Sequence, residues 1–76
     1  MSIIPVIRAA EILRVLYGAG FRIVRQTGSH IILRHFTDAK RQTLVPRHGR
    51  RNIPRWLLHE ILKQAKISVD DFLKWI

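Results

Sequence analysis

Val6, Ala9, Leu13, Leu16 and Tyr17 recur at helical spacing near the start of the chain, while Arg8, Glu11 and Arg14 fall on other sides. The spacing predicts a first helix, with Pro5 suited to its opening turn and Gly18 and Gly20 ending it. The period then changes. Phe21 to Gln26 is rich in β-branched and aromatic residues and reads as a strand. Thr27-Gly28-Ser29 reads as a turn, His30 to Phe36 as a second strand, and Thr37 to Arg41 as a polar turn. Gln42 to Val45 makes a short third strand closed by Pro46. Residues 47–52 form a basic loop without apolar content. Pro54 opens a second helix whose core stripe is Leu57, Leu58, Ile61, Leu62 and Ala65. Ser68 followed by Asp71 is a capping signal for a short last helix, with Phe72, Leu73 and Ile76 on its apolar side.

These elements predict an α+β fold in the order helix, three strands, helix, then a short helical tail. Tight turns make the strands an antiparallel meander. Each long helix has one apolar stripe, so both are expected on one face of the sheet, leaving the other face and the loops for a ligand. With 76 residues, residues 1–76 are expected to form one domain with one core. A domain of that size buries only about 60% of its unfolded surface. The apolar share of 47% is enough for that core and argues against disorder. There is no cysteine, which removes disulfide scaffolds and thiolate zinc sites and fits a cytoplasmic protein. No uncharged run approaches the roughly 20 residues of a membrane span, so no membrane partner is expected.

Charge changes the picture more than composition does. The net charge is +9, and residues 22–55 carry nine basic side chains (Arg22, Arg25, Arg34, Lys40, Arg41, Arg47, Arg50, Arg51 and Arg55) against Asp38 alone. The rest of the chain is nearly balanced. One sign concentrated in one segment points to a polyanion, and arginine over lysine suits phosphate. A solubilising surface is the bland alternative, but solubility would not gather the charge in one place. The basic residues do not lie on one amphipathic helix, which disfavours an acidic membrane surface.

Within that segment, Gly20 to His30 sets a histidine at a Gly-Ser turn between apolar runs, with arginines on both sides. A histidine can exchange a proton near neutral pH. On a strand beginning at His30, the residues His30, Ile32 and Arg34 share one face. His30 is the candidate catalytic residue, and Arg25, Arg34, Arg47, Arg50 and Arg51 are the candidate phosphate binders. Gly28 and Ser29 could position a phosphate, or simply make the turn. His48 could transfer a second proton, contact phosphate, or be solvated. His35 lies on the opposite strand face, and His59 has a surface position on the second helix. No metal or other cofactor is expected, because no His-x-x-x-His pair sits on one helix beside a carboxylate. Trp56 and Trp75 could stack on bases, but both sit in helical apolar patterns, and for Trp75 the core is the better reading.

Four pieces carry a resemblance over nearly the whole chain: Ala19-Gly20-Phe21, Arg25-Gln26-Thr27-Gly28-Ser29-His30, Val45-Pro46-Arg47-His48-Gly49, and Ile61-Leu62-Lys63-Gln64-Ala65. In their order and spacing the chain resembles the HicA family of small bacterial ribonuclease toxins. The resemblance implies a fold similar to a double-stranded-RNA-binding domain. It implies messenger RNA as substrate, the histidine of Gly-Ser-His (His30) as the catalytic residue, and a HicB-like antitoxin that covers the site. The chain departs from that pattern at Trp56, where family members often have glycine, and at Lys66, which replaces the glycine after the Gln-Ala pair.

Two readings remain open on the residues alone. One is a metal-independent ribonuclease toxin in which His30 acts as general base on a 2′-hydroxyl. The other is a module of the same fold that holds RNA without cutting it. A DNA-binding partner is a third class, but no helix-turn-helix recognition helix is evident.

Overall fold

The computed structural model describes residues 6–47 and 51–76. In chain order these form β1 (Ile7–Arg8), α1 (Ala9–Gly18), β2 (Phe21–Thr27), β3 (His30–His35), β4 (Gln42–Pro46), β5 (Asn52–Ile53), α2 (Arg55–Ala65) and α3 (Val69–Trp75). Strands β2, β3 and β4 make an antiparallel sheet with β3 in the centre, and β1 pairs with β5 as a separate two-residue ladder. The α+β meander expected from the hydrophobic pattern is the observed fold.

Alternation along β3 organises the packing. Ile31 and Leu33 point into the core, while His30, Ile32 and Arg34 point away from it. Cross-strand partners share a face, so Phe21, Val45 and Thr43, a buried polar residue, join the inner side. That side is closed by Ile12, Val15 and Leu16 of α1 and by Leu58, Ile61 and Leu62 of α2, with Phe72 of α3 fully buried beside them. Leu57 and Leu73 pack against the edge of this cluster. The helical tail starts as its sequence predicts, with the Asp71 backbone N–H donating to Ser68 Oγ at 3.1 Å.

Two tight turns use glycine. Gly28 has a φ of 55° at the first position of the two-residue β2–β3 loop, and Ser29 does not share a positive φ, the combination that marks a II′ hairpin. Gly20 has a φ of 98°, and a Cβ there would stand 2.8 Å from the Phe36 ring. Its carbonyl accepts from the Phe36 N–H at 3.0 Å, which extends the β2–β3 pairing.

The structure corrects the sequence reading in several places. The first helix begins at Ala9, not near Pro5, which lies outside the described residues. Val6 is 66% exposed and outside the stripe. Ile7 and Arg8 pair instead with Ile53 and Asn52, because both isoleucines can then be buried in the core. The true stripe of α1 is Ala9, Ile12, Leu13, Val15 and Leu16. Tyr17 is exposed and lies under the Arg22 guanidinium, 5.7 Å from its ring centre. Trp75 is also not a core residue. It is 47% exposed and lines a surface cleft of about 330 Å³ with Arg14, Val15 and Gly18. Ile76, one residue further, is exposed too. Of the basic loop expected over residues 47–52, residues 48–50 lie outside the described residues, and Asn52 belongs to β5.

The C-terminal end of α2 is held by several bonds. The Ile67 N–H donates to the Leu62 carbonyl at 3.0 Å and the Lys66 N–H to the Lys63 carbonyl at 3.2 Å, a Schellman pair. Ile67 and Leu62 are both buried and supply the accompanying apolar contact. Arg41 Nε donates to the Ala65 carbonyl at 2.8 Å, and Thr43 Oγ1 donates to Gln64 Oε1 at 3.0 Å. The Schellman geometry forces Lys66 to φ 58°, ψ 41°, a left-handed conformation that costs a residue with a Cβ about 1–2 kcal/mol. Glycine removes that cost but loses more chain entropy on folding. Lys66→Gly is therefore expected to stabilise the domain by about 0.5–1 kcal/mol, a rise in Tm of roughly 3–6 °C by thermal unfolding. Lys66→Ala keeps the Cβ and should give no comparable gain.

Candidate functional site

The face of the sheet turned away from the helices is built in three rows. Arg22, Arg34 and Gln42 lie side by side in the first, Arg25, Ile32 and Leu44 in the second, and Thr27 and His30 in the third, where the register partner of His30, Pro46, is buried. Strict alternation along β2 would put Arg22 and Arg25 on opposite faces. A β-bulge between Ile23 and Arg25 adds one residue, Val24, and returns Arg25 to the side of Arg22. The bulge thereby places an arginine diagonally next to His30, at the roughly 7–8 Å typical of such neighbours, within reach of a long side chain.

His30 is exposed at the start of β3, immediately after the Gly28-Ser29 turn. The turn is tied to the end of β4, because the Arg47 backbone N–H donates to the Ser29 carbonyl. Arg47 therefore stands at the His30 end of the sheet. Arg34 shares the His30 face as expected, but four residues along a strand is about 13 Å. It therefore suits a neighbouring phosphate rather than one that touches His30. Its Nε donates to Gln42 Oε1 at 2.9 Å, which steadies the guanidinium. Arg51 is exposed just before β5. His48 and Arg50 lie outside the described residues.

Not all of the segment's charge is available to a ligand. The Arg22 guanidinium folds back on the end of α1, donating to the carbonyls of Phe21 at 2.7 Å and Tyr17 at 3.2 Å. Arg41 is part-buried, bonded to Ala65 and packed 5.3 Å from the Phe21 ring centre. Both are structural contacts of basic residues. Gln42, the partner of Arg34, was missed by reasoning from sequence, since only the strand register brings the two together.

Among the described residues, no group of three His, Asp or Glu side chains gathers that could hold a metal ion. Nor is any helix among them long and apolar enough to cross a membrane. A family model described as the HicA toxin of bacterial toxin-antitoxin systems matches residues 9–67. The chain belongs to the HicA toxin family. No individual curated protein matches it. The matched span runs from the first residue of α1 to the end of the Schellman motif, and so includes the whole three-stranded sheet. Membership makes the chain a toxin of the toxin–antitoxin kind and implies an antitoxin counterpart in general.

Two histidines of this HicA family member sit one strand-length apart in very different surroundings. His35 is half-buried on the inner face, edge-on to Phe21 with ring centres 5.3 Å apart. Its Nδ1 accepts from the Thr37 N–H at 3.2 Å and lies 3.1 Å from the Thr37 hydroxyl. It is a packing residue, in keeping with its position on the face opposite His30. His59 is exposed on α2. Aromatic pairs of this kind contribute about 0.5–1.5 kcal/mol beyond burial. His35→Ala is expected to destabilise by at least about 1 kcal/mol. His30→Ala should cost clearly less, and urea unfolding of the two variants side by side checks the difference.

Proposed function

We propose that this toxin is an endoribonuclease that cleaves messenger RNA on the outer face of its sheet, with His30 as general base. The observation that carries the reading is the placement of exposed His30 on the outer face of the sheet with Arg25 diagonal to it on the neighbouring strand, and with Arg47 at the same end of the sheet. Arg34 lies further along the same face, where it meets an adjacent phosphate, and Arg51 extends the basic surface beyond β4. His48 and Arg50 belong to the proposed interface on sequence grounds.

In the proposed reaction, His30 takes the proton of a 2′-hydroxyl. The 2′-oxygen forms a bond to the adjacent phosphorus, and the bond from phosphorus to the 5′-oxygen breaks. The leaving oxygen takes a proton from water at this open surface, and the product strand ends in a 2′,3′-cyclic phosphate. Arg25 and Arg47 neutralise the charge that grows on the phosphoryl oxygens, while the Gly28-Ser29 turn lets the strand approach closely. The substrate is RNA, because DNA lacks the attacking hydroxyl. The reaction written this way uses no metal, since proton transfer is assigned to the His30 imidazole. A HicB-like antitoxin with an acidic surface fits the basic face and would silence the enzyme by covering His30.

His30→Ala should reduce RNA cleavage by about 10²–10⁴-fold while leaving RNA binding in place. Cleavage by the unaltered protein should persist in excess EDTA and stop when the scissile nucleotide is 2′-deoxy. Undiminished cleavage by His30→Ala would remove the histidine from the mechanism. No cleavage by the unaltered protein, with RNA still bound, would leave a binding module of the same fold. Binding itself should weaken with salt, and Arg25→Glu with Arg34→Glu should flatten that dependence, whereas Lys63→Glu with Lys74→Glu, remote in sequence from the basic segment, should not.

A further inference from the structure

Trp56 stands in the first turn of α2 and is 70% exposed, although tryptophan is among the side chains that gain most from burial. Its position in the molecule follows from the other end of the helix. Gln64 and Ala65 are bonded to Thr43 and Arg41 at the start of β4. The helix packs against β4 on the inner face of the sheet, and its earlier residues lead away from that anchored end. Eight helical residues from Gln64 to Trp56 cover about 12 Å. Four strand residues from Thr43 to Arg47 cover about 13 Å. By these lengths Trp56 is level with Pro46 and Arg47, on the helix side of the sheet at the end where Pro46 pairs with His30 of the other face. Arg51 and Arg55, both exposed, flank it in sequence, and no acidic residue lies between Asp38 and Glu60.

We propose that Trp56 is a stacking platform for one unpaired nucleobase of the RNA strand, where that strand passes the end of the sheet that carries His30. The inference rests on the ribonuclease reading and adds to it a substrate class, single-stranded RNA. A flat aromatic surface among arginines suits a ligand with alternating phosphates and π-faces. Bases inside a duplex already cover both of their faces, so only an unpaired segment can use the indole. Stacking tolerates any base, and Trp56 therefore contributes affinity and strand selectivity more than sequence preference.

The chain has two tryptophans, so Trp75→Phe leaves Trp56 as the reporter. In that background, with His30→Ala to keep the RNA intact, titration with a short unstructured RNA should quench the indole emission. Trp56→Ala and Trp56→Leu should each weaken binding about tenfold, and Trp56→Phe should retain most of it. The slope of log K against log salt should be the same in all of them, because stacking releases no counterions. A fully paired RNA of equal length should show no such loss. Salt-dependent RNA binding with unchanged emission and equal affinity in Trp56→Ala would overturn the stacking inference and leave the ribonuclease reading standing. Absence of RNA binding by the unaltered protein would overturn both. A Trp56→Ala variant that binds RNA normally but loses antitoxin affinity would also overturn the inference, since the indole would then be a protein contact.

Discussion

The central strand carries the constraint on which the rest of the domain depends. β3 is hydrogen-bonded on both sides, so its side chains can only point up or down. Ile31 and Leu33 take one direction and are fully buried. A chain of this size has helices enough to cover only that face. The opposite direction, taken by His30, Ile32 and Arg34, is left uncovered by the helices. A shift of register by one residue would bury the histidine and arginine and expose the core. Catalytic candidate and core are in this sense one decision, made by the alternation of a six-residue strand.

A second set of contacts fixes where the helices stand over that sheet. Arg41 and Thr43, at the start of β4, bind the last residues of α2, and the Schellman bonds close the helix in the same place. With one end anchored, the other end is carried to the Pro46 side. The paired strands β1 and β5 brace the chain just before α1 and α2 begin, burying Ile7 against the same core that receives Ile53. The domain spends a left-handed lysine on the tight closure, an arrangement tolerated because the neighbouring bonds and the Ile67 contact outweigh its local cost. Basic residues take part in this framework as well. Arg22 and Arg41 satisfy helix-end and strand carbonyls, so part of the middle segment's charge holds the fold and part, such as Arg25 and Arg34, is exposed.

Much of this was legible in the residues. The three strands, both long helices and the Ser68 cap follow from periodicity and turn chemistry that local sequence dictates. The side taken by His30 and Arg34 follows from the strand period once Ile31 and Leu33 are recognised as core. Where local signals were ambiguous, the reading failed. Val6 and Tyr17 fit a helical stripe by spacing alone, yet one lies before the helix and the other turns to the Arg22 guanidinium. The two-residue ladder of Ile7–Arg8 with Asn52–Ile53 joins segments more than forty residues apart and is too short to leave a pattern.

By itself, then, the sequence determined the fold class, the family pattern, the basic middle segment and the identity of the candidate histidine. These rest on short-range properties: side-chain period, glycine at turns, and charge along the chain. Only the tertiary structure decided which arginines stand near that histidine. The bulge at Val24 turns Arg25 to the His30 face, and nothing in Ile23-Val24-Arg25 announces an extra residue, since a bulge is defined by the partner strand it fails to match. The exposure of Trp56 and Trp75 was decided in the same way. An apolar residue in a helical pattern is buried only if another element arrives to cover it, and that depends on the packing of the whole chain.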